Sequence, residues 1–149
     1  MTHFTTYSRI SDLIFRASFS LIFIVGGLGH FVRFDWMLQR LEGSPWFDWV
    51  VMIGSPGLLL HLSGVVMVVT GIALLLGFYT RLSALALFLT LLPITFVVHI
   101  APDHVGPLLK NVAILGGLVH FIVRGAEHFS IDSARGRLDN RGVQNSCSL

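Results

Sequence analysis

Four apolar runs dominate the chain and constrain what it can fold into: Leu13 to Phe31, Gly57 to Gly77, Leu82 to Ile100 and Leu108 to Val123. A helix needs roughly 20 mostly apolar residues to cross the hydrocarbon core of a bilayer, and each run approaches that length. The fourth is the shortest and fits with little tilt or a locally thinned bilayer. No run alternates with a period of two, which argues against a β-barrel. The first run is too long for the core of a signal peptide and reads as a retained helix. Composition agrees: 54% of the residues are hydrophobic and 12% are charged, about half the charge of an ordinary soluble domain. The expected fold class is therefore all-α, an integral membrane four-helix bundle over residues 1–128, followed by a polar tail over 129–149.

Arginine and lysine then set the orientation. Arg9, Arg16, Arg81, Arg124, Arg135, Arg137 and Arg141 fall on one side of the four-span arrangement, and Arg33, Arg40 and Lys110 on the other. The positive-inside rule puts the first group, and with it both termini, in the cytoplasm. "GFYTR" is a tight turn, so the second and third runs form an antiparallel hairpin. The outer connection over 32–56 carries all three tryptophans, Trp36, Trp46 and Trp49. Its stretch "FDWMLQRLE" is amphipathic, which suits a segment lying at headgroup level. The tail after His128 lacks hydrophobic periodicity and is expected to be loosely ordered in the cytoplasm.

The polar residues that break the apolar runs are the candidates for function. His30 lies near the outer end of the first run, His61 about one turn into the second, and His99 at the end of the third. His104 is in the outer loop, Lys110 and Asn111 open the fourth run, and Arg33 follows the first. These groups converge on one end of the bundle, where charge is tolerated better than at mid-membrane. At 100° per residue, Arg16, Ser20, Phe23, Gly27 and His30 share one stripe. Lys110, Ile114, Gly117, Phe121 and Arg124 share another. Gly57, Gly64 and Gly71 recur every seven residues and suit close helix packing. Gly116 and Gly117 are expected to break the last helix, and Pro93 to kink the third. Each candidate also has a plainer reading. A histidine at an interface can be hydrated or cap a helix, a lysine there can snorkel, and Arg16 reads first as an anchor to the headgroups.

Other chemistry is excluded by what the chain lacks. Its single cysteine, Cys147, permits no internal disulfide, redox pair or thiolate cluster. There is no glycine-rich dinucleotide fingerprint, and the formal net charge of +2 gives no support for nucleic acid.

The segments "GGLGHF", "GIALLLGFYTRLSALAL" and "LLKNVAILGGL", with Arg16 and His99, resemble the DoxX family of small four-helix membrane proteins over roughly Arg9 to Arg124. The resemblance implies a multi-pass protein of the bacterial inner membrane with an oxidoreductase role, linked in some relatives to thiosulfate, quinone or terminal oxidases. Many members carry an acidic residue early in the second span, where this chain offers His61.

A quinone head group needs hydrogen-bond donors at its carbonyl oxygens and a proton carrier, and histidine can serve as both near neutral pH. On this reading His99, Lys110 and His61 are the catalytic candidates, with His99 first as proton carrier, and His30, Asn111, His104 and Arg33 hold the quinone or substrate. Two alternatives stay open. One is a bis-histidine haem or metal site built between helices from His30, His61 or His99, although no metal ligand set is assigned. The other is an accessory subunit whose loop and tail bind a membrane or periplasmic protein partner. Oligomeric state is left open.

Overall fold

The computed structural model describes residues 2–99, 105–126 and 128–133, with side chains for 9–98, 105–126 and 128–133. Six helices follow in order: α1 Thr2–Val32, α2 Phe34–Glu42, α3 Phe47–Ile53, α4 Pro56–Leu76, α5 Thr80–His99 and α6 Val105–Arg124. Four of them are long and apolar enough to cross a membrane, over Arg9–Val32, Pro56–Leu76, Thr80–Val98 and Val105–Arg124. These are the four expected runs. α6 is longer than its apolar stretch suggests, because Val105, Gly106 and Pro107 already belong to the helix.

α1 packs on α4, α4 on α5 and α5 on α6. The shared core contains Phe19, Phe23, Met67, Leu74, Leu87, Leu91, Ile114, Leu118 and Phe121. α4 is apolar on every side, yet its burial has a helical period. Gly64, Met67, Gly71 and Leu74 face inward, while Leu58, Leu62, Val65, Val69, Ile72 and Leu76 are exposed. That outward stripe is the surface lipid would cover. On α1 the inward stripe is Arg16, Ser20, Phe23, Gly27 and His30, as the 100° spacing predicts.

Glycine sets the α1–α4 separation. A Cβ at Gly27 would sit 2.8 Å from the Gly64 carbonyl oxygen, and one at Gly64 would sit 2.8 Å from His30 Cβ. Hydrocarbon supplies no hydrophobic drive between helices, so close backbone approach and dispersion hold this pair. α1 and α6 meet through aromatic rings instead. Phe121 stacks on Phe15 with centroids 5.1 Å apart and lies 5.6 Å from Phe19. The Phe19 ring occupies the space that a side chain at Gly117 would need. The expected break at Gly116 and Gly117 does not occur, and α6 runs unbroken through both. A glycine costs a helix about 1 kcal/mol relative to alanine, which its internal hydrogen bonds and neighbours can absorb. α5 likewise continues through Pro93.

The connection over 32–56 folds into α2 and α3. The Phe34 ring lies 3.2 Å from where a Gly57 side chain would begin, which seats α2 against the start of α4. The turn between α2 and α3 is pinned to α5: Ser44 Oγ donates to the Val97 carbonyl, and the Trp46 ring packs on Phe96 at 5.0 Å. Trp49, Val51, Met52 and Ile53 remain exposed, an apolar surface suited to the headgroup region.

Gly27→Ala is expected to destabilise the bundle by about 1–3 kcal/mol through overpacking against backbone. Gly116→Ala, whose Cβ would meet nothing within 4 Å, should be neutral or stabilising. Thermal unfolding in detergent compares the two, and equal midpoints would contradict the close α1–α4 contact.

Candidate functional site

Buried polar side chains gather at the two ends of the bundle. At the end where α1 finishes, His30 is 7% exposed. Its Nδ1 lies 3.0 Å from the Leu60 carbonyl oxygen and 2.9 Å from Ser63 Oγ. A carbonyl can only accept, so Nδ1 carries the hydrogen. Ser63 Oγ donates to the same carbonyl at 2.8 Å and turns a lone pair toward the ring. These contacts orient the ring through Nδ1 and do not involve Nε2. Across the bundle Asn111, 3% exposed, donates through Nδ2 to Thr95 Oγ1 at 3.0 Å. Thr95 in turn donates to the Leu91 carbonyl one turn back.

The other expected members of this cluster lie elsewhere. His61 is exposed; its Nδ1 donates to the Gly57 carbonyl of its own helix at 2.9 Å, and its ring packs on Phe34 at 4.4 Å. Lys110 is exposed, because the inward stripe of α6 is Asn111, Ile114, Leu118 and Phe121. That stripe stands one residue away from the expected one. Arg33 is exposed at the junction of α1 and α2. The His99 side chain and all of His104 lie outside the described residues. His30 and Asn111 therefore face inward and His61 and Lys110 outward. Among the described residues no three His, Cys, Asp or Glu side chains come together as a metal site.

The opposite end holds a network that sequence reasoning missed. Arg16 has no exposed surface. Its Nη1 donates to the His128 carbonyl at 3.1 Å and its Nη2 to the Phe129 carbonyl at 2.6 Å. Ser20 donates to the Arg16 carbonyl at 2.7 Å. Asp132, in the same returning segment, accepts from the backbone of Tyr79 at 2.9 Å and from the backbone and hydroxyl of Thr80, both at 2.8 Å. A carboxylate here satisfies the first amides of α5 and complements the positive end of that helix. The Asp132 amide closes the loop by donating to the Gly77 carbonyl at 3.0 Å.

Gly77 is required there twice. Its φ of 65° ends α4 in the left-handed conformation, and a Cβ would run into Ser130 and come within 3.0 Å of Arg16 Nη1. Tyr79 and Phe129 also hold positive φ, 44° and 47°, a strain of order 1–3 kcal/mol each that the surrounding bonds must offset. Residues 128–133 are thus docked, whereas their polarity led us to expect loose order. Asp12 Oδ2, Arg16 Nε and His128 Nδ1 are buried with no hydrogen-bond partner among the described residues.

A family model described as DoxX matches residues 11–100. The chain belongs to the DoxX family. No curated protein and no solved structure matches it. The DoxX match takes in Arg16, His30, Ser63, Gly77 and Thr80, and ends before α6 and the docked segment. Asn111 and Asp132 thus come from beyond the matched DoxX region. The Arg16 end did carry a signal: an arginine on the same stripe as Ser20, Phe23, Gly27 and His30 faces the bundle, where it must find acceptors. Nothing local in the sequence marks His128, Phe129 or Asp132 as those partners.

Asp132→Ala is expected to lower stability by about 1–3 kcal/mol, because it leaves the amides of Tyr79 and Thr80 without their acceptor. Asp132→Asn should recover part of the loss. An unchanged unfolding midpoint in Asp132→Ala would show that the contact contributes nothing.

Proposed function

We propose that this DoxX-family membrane protein is a quinone-linked redox subunit whose polar site lies at the periplasmic end of the bundle, where α1 finishes. The observation that carries the reading is the anchored His30 ring. It is buried, its Nδ1 is engaged with the Leu60 carbonyl, and Nε2 takes no part in that bond. Such a group can exchange a proton with a quinone oxygen without rearranging its support. Asn111, held by Thr95 on the facing helix pair, is a second inward polar group suited to hydrogen bonding at a head group. A bound quinone would supply the two-electron chemistry, and the chain's own part is to orient the ring and move protons. Electrons would come from a donor acting directly or through a partner's cofactor, since the chain has neither a cysteine pair nor a dinucleotide fingerprint.

Within this reading His99 remains a proposed proton carrier at the same end, with His104 beside it in sequence. Lys110, Arg33 and His61 are exposed and suit the capture of an anionic donor such as thiosulfate, or of a partner, at the outer surface. The reading places the basic side of the chain, and with it both termini, in the cytoplasm of a bacterial cell.

The test is quinone retained by protein purified in mild detergent, read by extraction and absorbance, alongside a full visible spectrum. Wild type should hold quinone, and His30→Gln should stay folded and lose most of it, or lose the pH dependence of its reduction. A Soret band would favour the haem alternative. Neither quinone nor haem in the wild type would leave the accessory-subunit reading in place of this one.

A further inference from the structure

A cavity of about 530 Å³ opens where α5 begins and α6 ends, lined among others by Tyr79, Arg81, Leu82, Arg124, Gly125 and Asp132. It lies at the Arg16 end, away from His30, and the proposed redox reading makes no use of it. We propose that this pocket binds an anionic phosphate group at the membrane surface, one with no compensating cation of its own, between the guanidinium groups of Arg81 and Arg124.

Three features point to that chemistry. The first is charge. Arg81 and Arg124 both line the opening and both are exposed. Asp132 is already engaged by the Tyr79 and Thr80 amides, so the ligand must be held by the arginines rather than by the helix terminus. Guanidinium forks match phosphate oxygens in pairs.

The second feature is depth. Thr80 opens one candidate span and Arg124 closes another, so the pocket stands at headgroup level, where basic pockets between helices recruit anionic lipid. The third is shape. Gly125, at φ 73°, turns the chain at the end of α6, with the Arg81 side chain 3.4–3.5 Å from where its Cβ would be. Exposed Leu82 lines the opening and gives an acyl chain an apolar path along α5.

The phosphate could arrive on a lipid such as phosphatidylglycerol or as the free anion, and native mass spectrometry of detergent-solubilised full-length protein separates the two. Phosphatidylglycerol and phosphatidylcholine are offered at equal concentration, with and without inorganic phosphate as competitor. Wild type is expected to retain phosphatidylglycerol over phosphatidylcholine. The Arg81→Gln/Arg124→Gln pair should lower that retention roughly 30-fold, each arginine at an anionic surface being worth about fivefold. The Arg81→Lys/Arg124→Lys pair, which keeps the charge, should keep most of the preference and answers for any loss of folding in the glutamine pair. Displacement of the lipid by inorganic phosphate, with the same dependence on the arginines, would support the site and name the free anion as its source. Equal retention of both lipids by wild type with no arginine-dependent phosphate binding would overturn the proposal. So would unchanged phosphatidylglycerol retention in a folded glutamine pair.

Discussion

In a bilayer the polar groups of a chain have no water to turn to, and an arginine side chain carries five N–H donors. Arg16 sits inside the first spanning helix with no exposed surface. Its position is tenable because two carbonyls, from His128 and Phe129, are brought to it from beyond the last helix. Those carbonyls are available because the segment after α6 turns back, and that segment holds its course because Asp132 bonds to the first turn of α5. Gly77 completes the arrangement by leaving room for Ser130. One buried cation thus ties together the middle of α1, the α4–α5 turn and the residues after α6.

The rest of the bundle is arranged around two different contacts. α1 and α4 are drawn together by glycines, so that backbone meets backbone at Gly27 and Gly64. α1 and α6 are held by rings, with Phe121 between Phe15 and Phe19. The tight glycine contact has a consequence at the far end. It brings His30 close enough to α4 for Nδ1 to reach the Leu60 carbonyl, the contact that orients the ring of the described histidine our reading relies on.

Much of the fold is legible in the sequence because spanning a membrane is a demand on length and polarity that few arrangements meet. The inward stripe of α1 follows from helical spacing alone. The same reasoning on α6 favours Lys110 where the structure buries Asn111, a turn of the inward face by less than the 100° of one residue. Periodicity fixes the angle between residues on a helix but not which neighbour faces the bundle, and Ile114 and Phe121 lie on both stripes. His61 was grouped with His30 by depth, yet the two sit on different sides of the α1–α4 contact. The docked segment was illegible for a different reason: its long-range contacts are hydrogen bonds that join His128, Phe129 and Asp132 to partners more than 50 positions away, and they leave no hydrophobic pattern.

Hydrogen exchange tests most directly whether Arg16 organises its end of the bundle. In Arg16→Gln the backbone amides of Tyr79, Thr80, Asp132 and Ser133 are expected to exchange markedly faster than in the wild type, while those around Asn111 in α6 keep their protection. Unchanged protection at those four amides in Arg16→Gln would contradict the account, because it would mean that the returning segment holds its place without the buried guanidinium.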